Sequence, residues 1–104
     1  MHSILDLSSI KIFSEEIFET ILTGENIKIE RIISNGQTTP ENEWYNQDKN
    51  EWVLLIQGEA EILFETDEKT TLRAGDYLLI PAHKRHRVTF TSCNPSCIWL
   101  AVFF

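Results

Sequence analysis

Two residues far apart in the chain are placed to act on one another: Glu51, which opens the run Glu51-Trp52-Val53-Leu54-Leu55-Ile56-Gln57-Gly58, and His86 in Arg85-His86-Arg87-Val88. A carboxylate at the mouth of a buried strand is costly unless it finds a partner. The alternation from Arg85 to Thr91 puts His86, Val88 and Phe90 on one side and Arg85, Arg87, Thr89 and Thr91 on the other. Because the second set is wholly polar it reads as the solvent face, which turns His86 inward with Val88 and Phe90. Pairing with His86 would satisfy Glu51 without any metal, and burial alone would hold its carboxyl neutral.

The elements that must position this pair read as strands. Residues 1–13 carry Ile4, Leu5, Leu7, Ile10, Ile12 and Phe13 at irregular spacing and are left open between helix and strand. Ser14 to Leu22 fits a short capped helix, with Ile17, Phe18, Ile21 and Leu22 on one face, or the first arm of a hairpin turning at Thr23-Gly24-Glu25-Asn26. Ile27, Ile29 and Arg31 then alternate with Lys28, Glu30 and Ile32 until Asn35-Gly36 supplies turn chemistry. Residues 36–50 form a loop or edge segment interrupted by Trp44-Tyr45.

From Glu51 onward the period is two. Val53 and Leu55 lie on one face, and Trp52, Leu54 and Ile56 on the other, so this strand is central and covered on both sides. Gly58-Glu59 reads as a tight hairpin into a strand with Ala60, Ile62 and Phe64 inside and Glu59, Glu61 and Glu65 outside. A short strand from Thr70 to Arg73 and another over Tyr77-Leu78-Leu79-Ile80 follow, the latter stopped by Pro81. The last segment, Ile98 to Phe104, is apolar on both faces. Many short strands with frequent turns argue an all-β barrel or two-sheet sandwich.

Composition bounds the partners. One domain of 104 residues, 42% apolar, carries 9 basic against 16 acidic side chains, a net charge of 9 − 16 = −7. That field repels nucleic acid and anionic membrane surfaces. No apolar run approaches the roughly 18 residues of a membrane span, and no basic leader precedes one, so a cytoplasmic location is expected. Cys93 and Cys97 read as reduced thiols flanking a turn.

The spacings resemble those of the cupin superfamily, in particular its small single-domain members. That family's first motif opens with glycine, passes through a His-any-His pair and closes on a glutamate followed, after six residues, by glycine. Here Gly36, Glu51 and Gly58 stand in those places, a first motif over 36–58. Its second motif runs glycine, five residues, proline, any residue, glycine, two residues, histidine. Gly75, Pro81 and His86 match it in register, a second motif over 75–90, and the resemblance covers residues 31–102. Tyr45 and Gln47 stand where the two histidines would be, His83 replaces the inner glycine, and Phe90 replaces a later asparagine.

The resemblance implies an all-β jelly-roll barrel spanning 1–104, with room for a short N-terminal helix. It implies Glu51 and His86 as metal ligands, with Gln47 giving an amide oxygen in place of one histidine. Such a nitrogen and oxygen set suits zinc, iron, manganese or nickel. In a metal-dependent oxygenase, isomerase or lyase acting on a small organic molecule, Glu51 or Tyr45 would handle protons. The alternative is a metal-free barrel that binds or senses a small ligand without catalysis, and a third reading is a structural dimer with a filled barrel. Trp44, Trp52 and Trp99 read as core or interface residues. A homodimer is expected, because the strands 51–56 and 98–104 each leave an apolar face to cover.

Overall fold

The structure, a computed structural model, describes residues 1–11 and 14–104. Eight strands follow in chain order: β1 (Ile17–Gly24), β2 (Ile27–Ser34), β3 (Glu51–Gln57), β4 (Glu59–Phe64), β5 (Lys69–Arg73), β6 (Tyr77–Ile80), β7 (His86–Thr91) and β8 (Cys97–Phe103). They form two antiparallel sheets, one ordered β1-β2-β8-β3-β6 and one ordered β5-β4-β7. The all-β expectation holds, and the order within each sheet is that of a jelly roll. Ile12 and Phe13, part of the undecided lead-in, lie outside the described residues.

The short N-terminal helix does not form: among the described residues there is no helix, and Ile17 to Gly24 is the first arm of a hairpin. The apolar positions 17, 18, 21 and 22 would share one helical face but fall on both faces of a strand, and the chain takes the strand, paired along its length with β2. Asn26 takes a positive φ of 64°, which asparagine tolerates. The chain then folds back, pairing Ile17 with Ile33 and Gly24 with Ile27.

Two further expectations are corrected. Gly58-Glu59 is not a hairpin turn. β3 pairs with β6 and β8, whereas β4 pairs with β5 and β7, so Gly58 is the corner at which the chain leaves one sheet for the other. Its φ is +95°, and an added Cβ would lie 2.9 Å from the Cα of Cys97. Only glycine lets the strands approach there. Phe90 does not point inward and Thr91 does not point out. The ladder between β4 and β7 slips between Glu61, opposite Phe90, and Ile62, opposite Val88, so Thr89 is an extra residue on β7. That bulge reverses the faces beyond it: Phe90 is exposed, and Thr91 is buried with its hydroxyl donating to the Gln37 carbonyl.

The core lies between the sheets and contains Val53, Leu55, Ala60, Ile62, Phe64 and Leu72 with Ile80, Cys97, Trp99 and Ala101. Residues 37–50 run along the free edge of β7, where Thr39 N–H donates to the Val88 carbonyl, and Tyr45 and His86 exchange backbone hydrogen bonds of 2.8 and 3.2 Å. The outer side of β2 is held by Arg31, whose guanidinium donates to the carbonyls of Ile4 and Asp6. Both cysteines are free thiols, Cys97 buried and Cys93 exposed. Among the described residues no helix is long and apolar enough to cross a membrane.

Candidate functional site

A cavity of about 840 Å³ opens between the two sheets. β2 contributes Lys28, Glu30 and Ile32 to it; β3 contributes Glu51 and Val53; β7 contributes His86 and Val88; β8 contributes Trp99 and Phe103. Alternation explains the choice, because residues an even number apart on a strand face the same side. The loop along β7 adds Tyr45, Asn46, Gln47, Asp48 and Lys49, and the segment ahead of β1 adds Glu16.

Glu51 and His86 meet as the sequence suggests. Glu51 is 8% exposed and His86 4%, and Glu51 Oε1 lies 3.8 Å from His86 Nε2. Gln47 Nε2 donates to the same Oε1 at 2.9 Å. His86 Nδ1 lies 3.0 Å from the Lys84 carbonyl. A carbonyl only accepts, so Nδ1 carries a hydrogen, and Nε2 is the ring nitrogen turned toward Glu51. Tyr45 stacks on the imidazole with centroids 5.5 Å apart, and Phe64 packs on it at 6.3 Å. The paired backbones of Tyr45 and His86 fix that stacking.

Electrostatics follow burial. The Glu51 carboxyl is pushed above its ordinary value chiefly by desolvation. The Gln47 amide and the nearby imidazole oppose the shift, and the Glu30 charge adds to it. Tyr45 is raised as well, first by burial and then by the carboxylates of Glu16, Glu51 and Glu43, so its phenol stays protonated at neutral pH.

Sequence reasoning missed three carboxylates of this cavity, Glu16, Glu30 and the exposed Asp48. Glu30 is buried on the inner face of β2, and its alternation with Lys28 and Ile32 was legible; which face turned inward was not. Glu16 accepts a hydrogen bond from the buried Ser34 hydroxyl, which itself accepts from Trp99 Nε1 at 3.2 Å. No local pattern announces that relay, since its members lie on three separate segments. Trp99 is thus both a core residue and a cavity wall. His83 is exposed at the cavity mouth with a φ of +65°, and its backbone N–H donates to the Gln47 carbonyl.

The donors do not fit a resident metal. One imidazole and one carboxylate face each other, and among the described residues no group of three His, Cys, Asp or Glu side chains stands together to hold an ion. A catalytic zinc takes three protein ligands. Gln47 turns its amide N–H, not its oxygen, toward Glu51. A filled barrel is also ruled out by the cavity against His86.

Comparison with known proteins agrees with this architecture. The family model described as "Cupin domain" matches residues 30–103. A solved structure from Ralstonia eutropha JMP134, named a "putative mannose-6-phosphate isomerase", is 39% identical, with a TM-score of 0.90 over 99% of this chain and 95% of its own. A cupin superfamily protein from Desulfitobacterium hafniense DCB-2 is 21% identical, with a TM-score of 0.76 over 90% and 81% of the two chains. A Rhizobium leguminosarum protein of unknown function is 13% identical, with a TM-score of 0.77 over 100% and 94%. No curated protein matches the chain.

Proposed function

The chain belongs to the cupin family, and on that premise we propose that its barrel binds a small organic molecule, with no resident metal, through Glu51, His86 and Gln47. The observation that carries this reading is the cavity itself. Its volume lies within the usual range for small-molecule sites, its walls mix apolar and aromatic side chains with charged and polar ones, and Glu51, His86 and Gln47 meet in that lining. Glu51 is the group there suited to exchange a proton with the ligand, and Tyr45 forms a wall and offers a protonated phenol.

The name of the Ralstonia relative points to a sugar phosphate. A phosphate dianion in this cavity would face Glu16, Glu30 and Glu51 with no arginine among the lining residues. That substrate is therefore not carried over.

Protein purified without a histidine tag tests the proposal by native mass spectrometry and elemental analysis. A small-molecule adduct without stoichiometric metal is the expected result. One equivalent of zinc, iron, manganese or nickel that disappears in His86→Ala would replace this reading by a metal site on His86, Glu51 and Gln47.

A further inference from the structure

We propose that the ligand is a small organic cation, an ammonium or amidinium that brings its own N–H donors to acceptors in the buried end of the cavity. This rests on the ligand-binding reading above and names the chemical class that the site takes.

The hydrogen-bond inventory of the buried end is lopsided. The single N–H of Trp99 is committed to Ser34, the Ser34 hydroxyl to Glu16, and the Nδ1–H of His86 to the Lys84 carbonyl. Gln47 directs its amide at Glu51, and Lys28 Nζ sits 3.3 Å from Glu30. Acceptors remain in excess. His86 Nε2 lies 3.8 Å from Glu51 Oε1, which already accepts from Gln47, and each carboxylate offers two oxygens with about four lone-pair sites. A ligand that brings N–H donors adds hydrogen bonds to the remaining lone pairs of these carboxylates, and one that only accepts adds none to them.

Charge and wall chemistry point the same way. The lining holds the carboxylates Glu16, Glu30 and Glu51, with Lys28 already paired with Glu30, while Asp48 and Lys49, one of each sign, are both exposed. Tyr45, Trp99 and Phe103 give aromatic faces, and the Lys28 ammonium already lies 5.2 Å over the Phe103 ring. Burial disfavours the charged forms of Glu16 and Glu51, a penalty that an incoming cation relieves.

The test titrates the full chain, followed by ¹H–¹⁵N spectra, with benzylammonium, benzyl alcohol, phenylacetate and mannose 6-phosphate. Benzylammonium is expected to shift Tyr45, Glu51, His86 and the Trp99 indole, while the other three leave them unmoved. Its affinity should fall with added salt and by at least about tenfold in Glu51→Gln, or in Glu30→Gln should the former fail to fold. Equal binding of benzyl alcohol, or shifts of the same residues by either anion, overturns the cation and leaves the ligand-binding reading standing. Silence of benzylammonium also overturns the cation; the ligand-binding reading is then decided separately by the native adduct.

Discussion

Glu16 is a carboxyl that the fold holds under tension. Its pKa is raised above the ordinary 4.5 first by burial, with the Ser34 hydroxyl only partly opposing the shift. A folded-state pKa above the unfolded one means that the folded chain holds the proton more tightly. Stability therefore falls as pH rises from about 4.5 through the folded value, and the penalty is fully present above it. Gln at this position keeps an acceptor for Ser34 and never charges. Glu16→Gln is thus expected to be at least as stable as the wild type at pH 7 in urea unfolding, with its advantage shrinking as the pH falls to 4.5. A wild type clearly more stable at pH 7 would refute burial as the dominant influence. This carboxyl lines the same cavity as Glu51. The pairing of Glu51 with His86 was readable from strand alternation and motif spacing. The Gln47 donation and the Glu16–Ser34–Trp99 relay were not, because side-chain hydrogen bonds across separate segments leave no periodic trace.

Strand corners and bulges decide which residues the elements turn inward. Gly58 and Gly75 both have positive φ, +95° and +96°, but a Cβ at Gly58 would strike Cys97 and Ser92, whereas one at Gly75 meets nothing within 4 Å. Alanine at either site bears the backbone strain, on the order of 1–3 kcal/mol. Gly58→Ala also overpacks the corner between the sheets, for about 1–3 kcal/mol more. Urea unfolding of the two variants checks this, and equal losses would remove the steric part of the account. The bulge at Thr89 has the same logic. Up to Val88 the inward set of β7 follows simple alternation, and beyond it the pattern fails because one residue is added on one strand only. β6 and β8, by contrast, lie where the turn residues and apolar runs placed them, and Pro81 ends β6 as a residue without an N–H must.

The whole molecule leaves one face of the five-stranded sheet half-covered. Trp52 is paired with Leu79 and Leu54 with Tyr77, and across β8 the same face carries Val102 and Leu100. Tyr77 and Leu79 are 69% and 52% exposed, an apolar patch of the kind that marks an interface. Self-association through this face is the expected outcome: sedimentation velocity should show dimers at micromolar concentration, and Leu79→Lys should shift them to monomers without lowering the melting temperature. A monomer across a wide concentration range would contradict it. By itself, the sequence determined the all-β class, most strand bounds, and the convergence of Glu51 with His86, because two-residue periodicity and motif spacing are local properties that each segment carries alone. The tertiary structure decided the rest. It chose hairpin over helix for Ile17 to Gly24, sent β3 and β4 to different sheets, and turned Glu16 and Glu30 into a cavity that Gln47 and Tyr45 help close. Those outcomes depend on which strands pair and on what burial costs a charge, and neither is set until distant segments are brought into contact.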